Sequence, residues 1–192
     1  MSLPDREKTD RSRLLRRIAL AGLIGSLALV SACTVRPLYS NAPLANGSSA
    51  NAELASIAVK PVKTRYAQQV RNNLIFGFGR GAGEPASPLY SLDLGVVEAV
   101  ESSALVQVGT DEDEPTAGSV TLTASYTLSD IKTGVVISVG KRAITSSFDR
   151  PREEFAAYRA QIDAENRAAR ELAEALQLSI AQDLVRHGKA AS

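Results

Sequence analysis

The sequence predicts an α+β fold: a two-layer sandwich of order β-α-β-β-β-α, with two helices on one face of a sheet of roughly four strands. Three stretches carry this prediction. From Ser119 to Ser129 the chain alternates without a break: Val120, Leu122, Ala124, Tyr126 and Leu128 are apolar, and every residue between and beside them is Ser or Thr. That is a long strand with one face in a core and the other wet. Tyr66, Val70 and Leu74 recur every four residues, the spacing of a single helical stripe. From Arg152 to His187 there is neither Gly nor Pro, and Phe155, Tyr158, Ile162, Ala169, Leu172, Leu176, Ile180 and Leu184 follow intervals of three and four, with one gap at Glu165-Asn166. Such a helix is about 54 Å long. The sheet is expected to be shorter, so this helix is expected to project at one end or to bend.

The N-terminus is organised around Leu29-Val30-Ser31-Ala32-Cys33. Arg11, Arg13, Arg16 and Arg17 precede an apolar run from Ile18 to Val30, and two small residues precede the chain's one cysteine. This is the layout of a secretory signal peptide. The 13 apolar residues rise only about 20 Å as a helix, too short for a hydrocarbon core of about 30 Å. The pair Arg16-Arg17 resembles a twin-arginine signal, but its flanks fit the general secretion route better. A cysteine just after the cleavage site resembles the bacterial lipobox. That resemblance implies that Cys33 takes a diacylglycerol and an N-acyl chain as residue 1 of the mature protein. Thr34, where no Asp stands, then implies transfer to the outer membrane.

With residues 1–32 set aside, the remainder is one domain in length. The whole chain has 22 Lys/Arg and 21 Asp/Glu; the leader takes six and three, leaving 16 basic and 18 acidic side chains. No basic field remains to attract nucleic acid. With the thiol acylated there is no disulfide, and packing must supply stability.

Residues 33–56 read as a lipidated N-terminus and tether: Pro37 and Pro43 exclude a regular helix, and Asn46-Gly47-Ser48-Ser49 is a flexible tract. Residues 57–188 form the folded domain. Ile57-Ala58-Val59 is a short strand limited by Pro61, at an edge or ending there. Thr64 caps the first helix, and the glycines from Gly77 to Gly83 end it in a loop. No Lys-Ser/Thr follows them, so the loop is not a phosphate-binding P-loop. Tyr90, Leu92, Leu94 and Val96 alternate as the second strand. Asp111-Glu112-Asp113-Glu114 is a candidate cation loop, although self-repulsion between four solvated carboxylates explains it more simply. Asp130 to Gly134 turns the long strand into a fourth one, from Val135 to Phe148. Its apolar parity switches near Gly140, which predicts a bulge there. Pro151 opens the last helix, Gly188 ends it, and residues 189–192 are a tail.

Catalytic chemistry is sparse. His187 is the only histidine, so a Cys/His metal cluster cannot form, and its place at the end of a helix beside the tail suggests no catalytic triad around it. Glu98 with Glu101, and Glu153 with Glu154, are expected at exposed positions without a pocket. The chain is expected not to be an enzyme and to need no cofactor or metal.

Several short motifs carry a resemblance to a known family. Cys33-Thr34-Val35-Arg36-Pro37-Leu38-Tyr39 resembles the cysteine-x-x-Arg/Thr-Pro-Leu-Tyr start of the lipopolysaccharide-assembly lipoproteins LptE (formerly RlpB), in their alphaproteobacterial branch. Ile57-Ala58-Val59 leading to Val70-Arg71-Asn72-Asn73-Leu74 is similar to that family's first strand and helix. Ala124-x-Tyr126-x-Leu128 with Asp130 and Thr133-Gly134 is similar to its central hairpin, and Tyr158, Ala164-Glu165, Ala168, Ala173 and Leu184 to its final helix. Tyr66-Ala67-Gln68 departs from a common Gly-Gln. The resemblance implies an outer-membrane, periplasm-facing lipoprotein that plugs an LptD-type β-barrel and helps insert lipopolysaccharide into the outer leaflet. An accessory lipoprotein of a lipid-transporting ABC system and a structural envelope lipoprotein are the alternatives. A plug touching lipopolysaccharide needs cations for its phosphates. Lys132 in the hairpin turn and Arg80 in the glycine-rich loop are the candidates, with Lys141 and Arg142 next.

Overall fold

The computed structural model describes Gly47, residues 49–105 and residues 115–190, all within one compact unit, Leu38–Ser192. The signal peptide at 1–32, the lipidation at Cys33, most of the tether, the acidic loop at 111–114 and the last two residues lie outside the described residues.

The elements are α1 (Ala50–Leu54), β1 (Ile57–Val59), α2 (Arg65–Gly79), β2 (Tyr90–Leu105), β3 (Pro115–Asp130), β4 (Val136–Asp149) and α3 (Glu154–Ala190). They build one four-stranded sheet of order β1-β2-β3-β4. β1 runs parallel to β2 through the α2 crossover, and β2, β3 and β4 form an antiparallel meander. The fold is α+β, with α2 and α3 together on one face of the sheet. The alternation from Ser119 to Ser129 has the predicted outcome: all five apolar residues are buried. They meet Leu92 and Leu94 of β2, Val70, Leu74 and Phe78 of α2, and Leu172, Leu176, Ile180 and Leu184 of α3 in one core.

Four expectations are corrected. The tether does not extend to residue 56. Ser49 caps α1 by accepting a hydrogen bond from the Ala52 N–H (3.2 Å), and Ala50 and Leu54 enter the core. The last helix does not stop at Gly188 but continues to Ala190. Its 37 residues span about 56 Å, and the 16-residue strands β2 and β3 reach about 53 Å. Its first turns are not core, however: Phe155 is 75% and Tyr158 59% exposed, and the buried stripe begins at Ala164.

The bulge is not at Gly140 either. Tyr126 pairs directly with Gly140, and the register slips between Leu128 and Ser129, opposite Ile137. Gly140 has another reason. The Tyr126 ring lies across it, where any Cβ would collide, and Phe148 lies across Gly118 in the same way. Each glycine makes room for an aromatic ring on the neighbouring strand. Finally, Glu98 is not simply exposed, because one of its carboxyl oxygens is buried.

Candidate functional site

Because both helices lie on one side, the other face of the sheet is open among the described residues. Its centre is the β3 row Ser119, Thr121, Thr123, Ser125, Thr127 and Ser129. β2 adds Asp93, Gly95 and Val97 beside it, and β4 adds Val139, Lys141 and Thr145. Thr121 and Thr145 hydroxyls share a hydrogen bond of 2.8 Å across strands, and Lys60 pairs with Asp93 at 2.8 Å. The result is a face dominated by short hydroxyl side chains, with few charges and two exposed valines, Val97 and Val139.

The topology gathers the two leading candidate cations at one end. β1 and β2 both start there, α2 returns there, and the β3–β4 hairpin turns there. The link is explicit: the Ile131 N–H donates to the Leu89 carbonyl (3.0 Å), and Leu89 N–H donates to the Ser56 carbonyl (2.9 Å). In the hairpin the Asp130 carboxylate accepts from the Thr133 N–H (2.7 Å) and hydroxyl (3.0 Å). These bonds, the backbone one first, hold the Asp130 carboxyl below its ordinary pKa. Gly134 supplies the positive φ that closes the turn. Lys132 is thereby presented, exposed, at the tip.

Arg80 is the C-cap of α2, in the left-handed conformation (φ 50°) that a glycine usually occupies. It sits at a cleft of about 310 Å³ where α1, α2 and α3 meet, lined also by Asn51, Leu54, Phe78 and Glu174. Arg71, which no local sequence pattern marks as a site residue, ties α2 to β1 and to the glycine-rich loop. Its guanidinium donates to the Val59 carbonyl (3.1 Å) and pairs with Glu84 of the glycine-rich loop (2.7 Å).

Lys141 and Arg142 part company because successive strand residues face opposite ways. Lys141 is on the open face. Arg142 lies on the helix side, where it donates to the Ser179 hydroxyl (2.8 Å) and the Lys141 carbonyl (2.8 Å). Ser179 also meets the Tyr126 hydroxyl (2.9 Å), which donates to Asp183 (2.7 Å). Burial, foremost, raises the Tyr126 pKa. This network fixes α3 on the sheet.

A second polar cluster lies where α2 starts. Arg65 pairs with Glu165 and donates to the Asn166 side chain (3.0 Å), and Gln161 donates to Glu165 (3.3 Å). The gap in the apolar pattern at Glu165-Asn166 thus marks where α3 meets the start of α2. Glu98 of β2 faces the same cluster, and its pKa is raised, first by burial and then by the Glu165 carboxylate. Sequence periodicity could not bring Glu98 and Glu165 together, since only the fold does.

Among the described residues no helix is long and apolar enough to cross a membrane. No protein-family model matches the chain and no curated protein matches it. Solved structures do share its fold. A chain described as a lipoprotein from Caulobacter crescentus CB15 superposes with a TM-score of 0.56 at 22% identity, over 69% of this chain and 93% of that one. Rare lipoprotein B from Shewanella oneidensis superposes with a TM-score of 0.51 at 12% identity, over 68% and 96%. The fold of this chain is therefore the fold of rare lipoprotein B.

Proposed function

We propose that this chain is an outer-membrane lipoprotein, held on the periplasmic side by acyl chains on Cys33, that plugs an LptD-type β-barrel and assists insertion of lipopolysaccharide. It acts by binding, not by catalysis. The observation that carries the reading is the open face of the sheet. An exposed sheet face of Ser and Thr suits the polar lumen of a large barrel, where hydroxyls exchange hydrogen bonds with the wall and no apolar area is required. The shared fold with rare lipoprotein B supports it, as does the lipobox-like Leu29 to Cys33. Lys132 and Arg80, in the hairpin and the glycine-rich loop that both lie toward one end of the sheet, are the residues proposed to meet the phosphates of lipopolysaccharide. Lys141, on the open face, and Arg142, engaged with Ser179, stand apart from that end.

The test is detergent extraction of the affinity-tagged full chain from its native envelope. The reading requires that an outer-membrane β-barrel co-purifies in near-equal amount and that palmitate label is lost in Cys33→Ser. Recovery with an ABC transporter or with peptidoglycan, and no barrel, would replace it.

A further inference from the structure

Among the described residues β4 is an edge strand of 14 residues, whereas the opposite edge, β1, has three. A long free edge is a template for another strand. The Arg150 N–H donates to the Thr116 carbonyl (2.8 Å), so in the regular register that follows, even-numbered residues of β4 turn their N–H and C=O toward β3. The odd-numbered ones, from Val139 to Asp149, turn theirs outward. Two of these outward carbonyls are occupied by arginines that reach round from the helix side. Arg142 donates to the Lys141 carbonyl (2.8 Å), and Arg167 of α3 donates to the Ser147 carbonyl (2.8 Å). Ser179 and Asp163, respectively, hold the two guanidiniums in place. The strand between the arginines has small outward-facing residues, Ala143 and Thr145. Beyond Arg167 a cleft of about 340 Å³ opens beside Ser147 and Asp149.

We propose that Arg142 and Arg167 are clamps that keep the β4 edge closed against a second copy of this chain. The edge is self-complementary. In an antiparallel pair centred on Thr145, outward-facing residues meet outward-facing residues. Ala143 meets Ser147, and Lys141 lies opposite Asp149 at both ends, an opposite-charge cross-strand pair made twice. The clamps block this pairing by taking the carbonyls of Lys141 and Ser147, both of which the new ladder needs. Side-chain guanidiniums are exchangeable donors, so the closure is reversible.

The test is sedimentation velocity of the full chain purified in detergent, over a hundredfold range of concentration. The wild type is expected to be monomeric, and Arg142→Ala with Arg167→Ala to dimerise at least tenfold more tightly. Adding Lys141→Asp should return this variant to monomer by setting like charges opposite each other, and adding Asp149→Lys as well should restore the dimer. If the double variant does not fold, the single variants decide, because each opens half the edge and must still dimerise more than wild type. A wild type that dimerises equally, variants that stay monomeric, or a dimer indifferent to Lys141→Asp would each overturn the proposal.

Discussion

Leu122 and Thr123 are neighbours in β3, yet Leu122 is wholly buried under α3 and Thr123 is half-exposed on the open side. The same contrast holds along the strand, and it divides the sheet into a face that makes the fold and a face free to meet something else. On the inner face each residue is fixed by its neighbours: Gly140 by the Tyr126 ring, Tyr126 by Ser179 and Asp183, Ser179 by Arg142. On the outer face the hydroxyls make few bonds to each other, and their type matters more than their shape. An inner-face change should therefore register as lost stability, and an outer-face change as lost association.

The largest effect is expected from Leu122→Asp. It deletes a buried side chain and leaves a carboxylate in the core, at a cost of about 4 kcal/mol or more. Against the ~5–15 kcal/mol total typical of a domain, this threatens folding itself. Chemical denaturation of the purified full chain reads it, and an unchanged midpoint would reverse the facing assigned to β3.

The two strand glycines sharpen the contrast. Gly140→Val puts a branched side chain under the Tyr126 ring and should cost about 2–3 kcal/mol, as overpacking does. Gly95→Ala, on the open face, meets only the end of the Ser125 side chain, at 3.2 Å. It should cost well under 1 kcal/mol, as surface substitutions do. Equal losses would show that Gly140 serves the backbone and not the ring.

At the end of the domain, between the two faces, replacing Lys132 and Arg80 together with Asp should weaken binding of lipopolysaccharide to the purified chain at least tenfold. Each charge-assisted phosphate contact is worth roughly 1.5–3 kcal/mol. Thermal stability should barely move. Binding within twofold of wild type would remove both residues from the site.

The inner face has one electrostatic exception. Glu98 has a raised pKa, so the folded state holds its proton more tightly than the unfolded chain does. The contribution of Glu98 to stability is therefore fully present below the ordinary Glu range and is lost as pH rises through the raised value. Glu98→Gln should raise the melting temperature near pH 7, and the gain should vanish toward about pH 4. A gain that persists in acid would assign the effect to packing.

Much of this organisation is legible in the residues. Strict alternation fixed the facing of β3, and spacings of four fixed the buried side of α2, because both patterns are local. What escaped is what depends on another strand or helix. The parity change near Gly140 looked like a bulge because the sequence does not show that Tyr126 lies across from it. The slip at Ile137 was hidden by the run Val135-Val136-Ile137. α1 stood in a stretch that composition marks as linker, yet Leu54 had a pocket to fill. Phe155 and Tyr158 fit the periodicity of α3 but lie beyond the part of the core that α2 helps to close. Arg80 and Lys132 are far apart in the chain, and only the parallel β1–β2 crossover brings their loops to the same end.

Contact between the open face of the sheet and a barrel wall is what the proposed function turns on. It is tested most directly by Thr123→Asp with Thr127→Asp in the tagged full chain, scored by barrel recovered per chain after detergent extraction. A melting temperature within a few degrees of wild type and at least a fivefold loss of barrel are expected. Full recovery of the barrel at an unchanged melting temperature would contradict it.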